Sequence, residues 1–537
     1  MANTDNRFLL YLQALQKNNF QKLARLEFLQ PDGSVAFSLD NQTKRGYNTA
    51  HKSAAFIQGG SLTVSMQNGQ RRKATITLSN LDNAFDYNVN KVWFGRQIRL
   101  SMGLKLPDGT DFYLPQMVGY VNAPQTIFSE NQKTVTFPLV DKWAYLDGTL
   151  AGRLANTYTV QATDQNQNAL WQAITGLLQL SKIDHRRNAP PTEMIDNVPP
   201  VFTTFYADKT YKVADSDGSI TKDVFVTDVP YDVREAAGSN IAALILKLVE
   251  FLAALVGYDQ TGAFRVEPSQ QDIDDMNKPV LWQFTPENSH LSQISETVKN
   301  NEVFNDVLIV GEGLTGSEVW GRAKNLDATS DTNVNLIGLK TYYEAKSNYW
   351  NAQQCADLAV WYLKRKTVLQ KAVNITCSQM FHLVENRLVT VKRTDKKGSP
   401  TERHLINGFT IPIGETGTMT INATSVNDIP TFTTSYTHEN LFTTSGMTEG
   451  YKISGTSLTP DKNYVTTGFM PVIVGRTYAQ SPNDSTAAIL LDKDKNILSA
   501  VTFDSNGKLK VAAENAAYIR TSFLYANKDN YTFCLEY

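Results

Sequence analysis

The stretch Ile98-Arg99-Leu100-Ser101-Met102-Gly103-Leu104, followed by Asp108-Gly109 and then by Phe112 and Leu114, decides the reading of the fold. Apolar side chains recur at every second position, the period of a strand with one buried face. Asp before Gly supplies the positive φ angles of a tight hairpin turn. The same pattern extends on both sides. Leu26 and Phe28 precede Asp32-Gly33, then Val35 and Phe37; Leu62, Val64 and Met66 precede Asn68-Gly69, then Ala74, Ile76 and Leu78; Val118, Tyr120, Val135, Phe137 and Leu139 complete the series. Six or more short strands joined by hairpins must close or stack to bury their shared apolar face, which predicts a first β-barrel-like domain over 24–150. Ahead of it, in residues 1–23, Phe8, Leu12 and Leu15 at i, i+4 and i+7 predict an amphipathic helix.

Beyond residue 150 the pattern shifts. Helices are predicted at about 165–181 and 239–257, the second apolar almost all round, in an α+β domain spanning 151–297. Strands resume at Val303 to Val310. A helix follows from Ala352 to Lys366, with Asn351 and Gln354 at capping-box spacing and Lys364, Arg365 and Lys366 suiting its C-terminal dipole. Alternating strands at Val373, Ile375 and Cys377, at Leu388 and Thr390, and at Thr418 and Thr420 make 298–430 a second barrel-like domain with one helix. Pro and small polar residues mark a linker at 431–436. The unit 437–537 reads as all-β, and all seven Trp precede it. The fold class is mainly β with an α+β insertion and a C-terminal β-sandwich.

A chain of 537 residues suggests roughly three to four domains at about 150 residues each. Lys+Arg 51 against Asp+Glu 53 gives a net charge of −2, so no long-range field drives binding to nucleic acid or anionic lipid. Cys355, Cys377 and Cys534 have no C-x-x-C spacing, and reduced thiols imply intracellular synthesis. The apolar run Phe8–Leu12 lacks the basic flank of a signal peptide. Ile241–Val256 carries Lys247 and Glu250 and is shorter than the roughly 20 residues that cross a bilayer, so no membrane span is expected.

Several motifs invite chemistry, and each has a plainer reading. Gly311-Glu312-Gly313-Leu314-Thr315-Gly316 has dinucleotide-site spacing, but no apolar helical stripe follows it, so a strand-end turn is expected. Asp492-Lys493-Asp494-Lys495-Asn496 and Asp215-Ser216-Asp217-Gly218 begin like calcium loops without the distal Glu, and are read as hairpin turns. The histidines 51, 185, 290, 382, 404 and 438 are scattered, and Cys377, in phase with Val373 and Ile375, reads as a buried thiol. The basic runs Arg71-Arg72-Lys73, Lys364-Arg365-Lys366 and Lys392-Arg393 lack interleaved aromatics and read as solvated ends. No catalytic residue, metal ligand or cofactor is expected.

The order of features resembles the tail-hub or baseplate-hub proteins of bacteriophages and related contractile systems. The resemblance rests on Arg72–Asn80, Phe94–Leu100, Gly257-Tyr258-Asp259, Val303–Gly311, the Cys355–Leu363 helix and Ile406–Gly414, and covers roughly 24–428. In 437–537 the series Asn440-Leu441-Phe442, Gly450–Ile453, Phe469–Val472, Gly475–Tyr478, Leu490–Asp492 and Ala517–Phe523 resembles the jelly-roll modules of tail fibres, some of which bind carbohydrate. The resemblance implies a non-enzymatic structural protein at the tail tip of a virion: a homotrimer ringing a channel, with other tail proteins as neighbours and DNA only as passing cargo. It implies a C-terminal module turned toward host cell-wall carbohydrate. With no Trp in the module, Tyr451, Tyr464, Tyr478 and Tyr525 are the candidates for glycan contact. A distal-tail ring or receptor-binding protein, and a cell-wall hydrolase or depolymerase, are the alternative readings.

Overall fold

A computed structural model of the chain describes residues 6–17, 20–42, 55–83, 85–86, 95–130, 132–163, 169–185, 210–214, 220–225, 228–251, 254–268, 280–288, 290–312, 318–346, 349–369, 371–414, 416–426, 441–442, 444–472, 474–475, 477–528 and 531–536. The fold is mainly β, with several antiparallel sheets and short helices. It divides into two compact units. The first takes Met1–Thr210, Asp223–Glu302 and Val368–Ile429; the second takes Tyr211–Lys222, Val303–Thr367 and Pro430–Tyr537.

A 14-stranded sheet organises the first unit. Its strands are β1 (Lys22–Leu29), β2 (Val35–Asp40), β3 (Ile57–Ser65), β4 (Arg72–Ser79), β5 (Gln97–Lys105), β6 (Asp111–Val121), β7 (Gln125–Ser129), β8 (Gln132–Asp141), β9 (Val280–Phe284), β10 (Leu291–Val298), β11 (Lys371–Cys377), β12 (Leu388–Lys392), β13 (Thr401–Ile413) and β14 (Met419–Ser425). The order is β10-β11-β14-β13-β3-β4-β8-β6-β5-β1-β2, with β7 on β8, β12 on β13 and β9 on β12. The hairpins β1–β2, β3–β4 and β5–β6 follow the turn signals at Asp32-Gly33, Asn68-Gly69 and Asp108-Gly109. Inward side chains of β1–β8 and of β9–β14, among them Leu26, Leu62, Ile76, Leu100, Phe137, Ile375, Val389, Phe409 and Ile421, form a single apolar core.

The joint between the two strand groups is β13 against β3, with Gly408 opposite Ser65 and Ile413 opposite Gly60. Just before it the register of β13 against β14 slips between Ile406 and Gly408. A Cβ at Gly408 would stand 2.3 Å from the Val64 carbonyl oxygen, so only glycine lets the two backbones approach this closely. The predicted N-terminal helix spans Asn6–Lys17 and buries Tyr11, Ala14 and Leu15 on the core. Tyr11 Oη accepts the Phe381 N–H at 3.0 Å and lies 3.1 Å from His382 Nδ1, which fixes the helix to a segment 370 residues away in the chain.

The predicted helices of the α+β segment span Ala169–Leu180 and Ile241–Glu250, the second capped by Asn240, whose Oδ1 accepts the Ala243 N–H at 2.9 Å. The second is shorter than expected, because Ala254–Tyr258 is a strand paired with Phe264–Pro268. The run of apolar residues hid the change of period, since Val256 and Tyr258 are buried on alternation.

In the second unit the strand Asp306–Glu312 lies between Glu318–Lys324, antiparallel, and Thr341–Ala345, parallel. The helix Ala352–Lys366 packs across the first two. It begins as expected: Asn351 Oδ1 accepts the Gln353 and Gln354 N–H groups, while Gln354 Oε1 accepts the Trp350 N–H. Gly321 makes the packing possible, since a Cβ there would lie 2.2 Å from Ala356 N on the helix backbone. Residues 441–536 add two antiparallel sheets. One joins Thr448–Ser454, Ser457–Thr466, Tyr518–Leu524, Ala487–Leu491 and Ile497–Thr502 with Met470–Pro471; the other joins Lys508–Lys510, Thr477–Ser481 and Thr532–Glu536. Val465, Leu490, Ile519, Phe523 and Phe533 make their shared core.

Two glycine substitutions should move stability in opposite directions. Gly321→Ala drives a methyl into the helix backbone and is expected to destabilise by about 1–3 kcal/mol. Gly176→Ala lies in the Ala169–Leu180 helix with nothing within 4 Å of the added carbon, and is expected to stabilise by about 0.5–1 kcal/mol. Urea unfolding followed by circular dichroism checks both signs.

Candidate functional site

The surface of the C-terminal module is where the sequence places recognition, and the four tyrosines fare differently there. Tyr478, on the strand Thr477–Ser481, is 1% exposed and stacks on Phe533 with ring centroids 5.3 Å apart. This corrects its place among the glycan candidates: alternation turns Tyr478 and Gln480 into the core, so its ring offers no face to a sugar. Tyr451 and Tyr525 are exposed and Tyr464 is half-buried. Lys452 Nζ stands 4.2 Å from the Tyr464 ring centroid and Lys528 Nζ 5.4 Å from that of Tyr525. Tyr464 pairs with Leu524, the neighbour of Tyr525, whereas Tyr451 lies opposite Pro460. Among the described residues no ring contact joins any two of the four.

An exposed phenylalanine lies beyond the tyrosine candidates. Phe469 is 41% exposed, with Lys495 Nζ at 4.7 Å and Arg520 Cζ at 5.1 Å from its centroid and the Tyr518 ring edge-on at 6.2 Å. Arg520 is held by the Thr467 carbonyl at 2.8 Å and by Thr448 Oγ1 at 3.2 Å, and burial pulls its pKa below the ordinary guanidinium value. Lys495 has φ 66° in the turn made by Asp492, whose Oδ1 accepts the N–H groups of Asp494 and Asn496. The calcium-like motif is thus a hairpin turn between Ala487–Leu491 and Ile497–Thr502. Asp215–Gly218 lies outside the described residues.

The other sequence motifs resolve into structure as well. Gly311 lies within the strand Asp306–Glu312, whose antiparallel partner is Glu318–Lys324 with Glu312 opposite Glu318, so a strand follows where a dinucleotide fold needs a helix. A Cβ at Gly311 would lie 1.9 Å from the Tyr349 carbonyl oxygen, which accounts for that glycine by packing; 313–317 lie outside the described residues. Cys355 and Cys377 are buried, and burial raises both thiols to about 12, far from a reactive thiolate. No group of three His, Cys, Asp or Glu able to hold a metal ion occurs among the described residues. No described helix is long and apolar enough to cross a membrane.

Two buried clusters in the first unit have the composition of catalytic sites. Ser181 Oγ lies 2.7 Å from His185 Nε2, and His185 Nδ1 lies 2.6 Å from Tyr258 Oη. The imidazole is 0% exposed, burial lowers its pKa to about 4, and the Ser181 hydroxyl donates to the Leu178 carbonyl at 2.8 Å. A base this weak, facing a hydroxyl already bonded elsewhere, ties a helix end to a strand and does not activate a nucleophile. Asp141 accepts the N–H groups of Arg71 and Arg72 at 2.9 Å and of Trp143 at 3.1 Å; burial raises its carboxyl to about 6. Arg72, itself 1% exposed, pairs with Glu385 and donates to the Gln116 carbonyl at 2.9 Å. Each of these groups joins elements that are distant in sequence.

No protein-family model matches the sequence, and no curated protein matches it. Among solved structures the chain is similar to a tail protein from Neisseria meningitidis at 9% identity, over 76% of this chain and 98% of that one, with a TM-score of 0.45. It is similar to the 43 kDa tail protein of prophage MuSo2 from Shewanella oneidensis at 12% identity, over 76% and 98%, with a TM-score of 0.43. A prophage tail protein from Listeria monocytogenes matches at 9% identity, over 76% and 95%, with a TM-score of 0.38. These are partial likenesses of chain arrangement alone.

The buried histidines predict a pH response. Burial lowers His185, His382 and His404 from 6.5 to about 4, so the native state refuses protons that the unfolded chain accepts. Their contribution is present above pH 6.5 and is lost as pH falls toward 4. Asp141, raised from 3.8 to about 6, acts with the opposite sign in the lower part of that window. Three groups outweigh one, so the urea midpoint should fall between about pH 7 and about pH 5, and His404→Gln should flatten the slope. An equal or higher midpoint at the lower pH contradicts the assignment.

Proposed function

We propose that this chain is a non-enzymatic structural component of a bacteriophage tail tip. In this reading, copies assemble as a homotrimeric hub around a DNA channel and carry the C-terminal module toward the host surface. The observation that carries it is the use of buried polar side chains as long-range ties. Arg72 to Glu385 spans 313 residues, Tyr11 to Phe381 spans 370 and Gln116 to the Phe381 carbonyl spans 265. The resemblance of 24–428 to tail-hub proteins supports the same reading.

Two features suit assembly. Among the described residues β2 and β10 each pair on one side only, and β7, exposed along its length with Phe128 79% exposed, pairs with β8 alone. Such edges invite neighbouring chains. The net charge of −2 leaves a channel without a strong pull on passing DNA. On the module, Tyr451, Tyr464 and Tyr525 remain the candidates for host carbohydrate.

Mass photometry and negative-stain imaging of the full chain, alone and with neighbouring tail proteins, are expected to show a three-fold ring. Hexameric rings would favour the distal-tail alternative, persistent monomers would remove the hub, and turnover of host cell wall in a zymogram would replace it with the hydrolase reading. For the module, the full chain is expected to bind host cell wall, and Tyr525→Ala to weaken that binding several-fold.

A further inference from the structure

On the C-terminal module the strand Tyr518–Leu524 carries one guanidinium on its outer face. Alternation buries Ile519 and Thr521 and leaves Tyr518 and Arg520 half-buried on the other side. Pairing fixes what stands beside Arg520. Ile489 lies opposite it on the strand Ala487–Leu491; on the other side Met470 lies opposite Ile519, which brings the preceding residue, Phe469, next to Arg520. Arg520 Cζ is 5.1 Å from the Phe469 ring centroid, and Lys495 Nζ, from the turn between Ala487–Leu491 and Ile497–Thr502, reaches the same ring at 4.7 Å. Phe469 keeps 41% of its surface exposed beside them.

Two like charges are thus gathered on one aromatic ring, and no carboxylate answers them. Both cross-strand neighbours of Arg520 are apolar. Its Nε donates to the Thr467 carbonyl at 2.8 Å and one terminal nitrogen donates to Thr448 Oγ1 at 3.2 Å, both neutral acceptors, and burial alone holds its pKa below the ordinary guanidinium value. The other terminal nitrogen has no partner among the described residues and is not sealed from solvent. The carboxylates that adjoin these groups in the chain are engaged elsewhere. Glu449, next to Thr448, pairs with Lys528 at 2.6 Å. Asp492 takes the N–H groups of Asp494 and Asn496 and the Asn496 side-chain amide, and the cation acting on it is Lys493. Among the described residues no ion pair engages Lys495 or Arg520. Repulsion between cations held this close is relieved by an anion placed between them.

We propose that Phe469, Arg520 and Lys495 form a binding site for an acidic sugar of the uronic-acid type, its carboxylate lying between the open Arg520 nitrogen and Lys495 and its C–H groups resting on the exposed part of the Phe469 ring. The choice of a sugar as carrier of the anion rests on the reading of the module as turned toward host carbohydrate; the sign of the charge and the ring do not depend on it. A uronate unites both features in one residue, a carboxylate fixed to a pyranose ring whose C–H groups make an apolar face. A glycerol phosphate chain has the charge without the ring, and a neutral hexose has the ring without the charge. The site uses none of Tyr451, Tyr464 and Tyr525.

Calorimetric titration of the full chain with trigalacturonate is expected to show saturable binding that weakens as salt is raised and that the methyl ester of the same sugar lacks. Phe469→Ala should weaken it about tenfold, and Lys495→Asn, a residue that suits the φ of 66° at this position, at least about threefold. Both side chains are exposed, so both variants should melt like the parent, and Tyr525→Ala should leave trigalacturonate binding unchanged. The absence of saturation, an affinity that neither Phe469→Ala nor Lys495→Asn lowers, or equal binding of the methyl ester, of poly(glycerol phosphate) or of a pentaglutamate peptide each overturns the proposal. A chain that binds host cell wall but not trigalacturonate overturns this site and leaves the reading of the module standing; a chain that binds neither removes both.

Discussion

The antiparallel pairing of β13 with β3 is the contact on which the first unit depends. It sets Thr63 beside Thr410, 347 residues apart in the chain. Closing a loop of that length costs about 5 kcal/mol in chain entropy by the (3/2)RT ln n relation, before any ordering of side chains. Six residue pairs from Gly408–Ser65 to Ile413–Gly60 offset it with backbone hydrogen bonds, and the apolar side chains of both strand groups meet beneath them. Without this joint, each group would expose the core face that the other now covers.

Polar groups reinforce the joint from within. Arg72 stands next to it, fully buried, and joins β4 to Glu385 and to the Gln116 carbonyl of β6. A buried ion pair adds little net stability over an apolar replacement, yet losing one partner strands a charge, so such a pair specifies a geometry more than it strengthens one. Asp141 gathers the backbone N–H groups of Arg71 and Arg72 and so sets the start of β4. At the outer end of the sheet Arg393 and Lys396 share Glu296 and Glu402, which ties β10 to the β12–β13 turn. The ties repeat one design, a charged or hydroxyl group that bridges segments between 69 and 370 residues apart.

Local features were legible in the sequence because their causes are local. Alternation with Asp-Gly and Asn-Gly turns located the first hairpins, Asn351 located a helix start, and the Asp492 turn was recognised for what it is. What the sequence withheld depends on contacts at a distance. The strand Ala254–Tyr258 continued an apolar helical run with no break in composition, and Tyr478 resembled its exposed neighbours until the fold turned it inward. The cross-strand pairing that sets Phe469 beside Arg520 cannot be read from either strand alone. Phe469 carries no sequence mark that separates it from the core rings Phe503 and Phe523, since only the fold leaves it exposed.

Native-state hydrogen exchange tests the joint most directly. If β3 and β13 belong to one cooperative sheet, the paired amides of Ile57–Ser65 and Thr401–Ile413 will open together, with equal protection and an equal dependence on denaturant. If Thr401–Ile413 instead exchanges by a lower-energy opening that leaves Ile57–Ser65 protected, the two strand groups are separate and the single-sheet account fails.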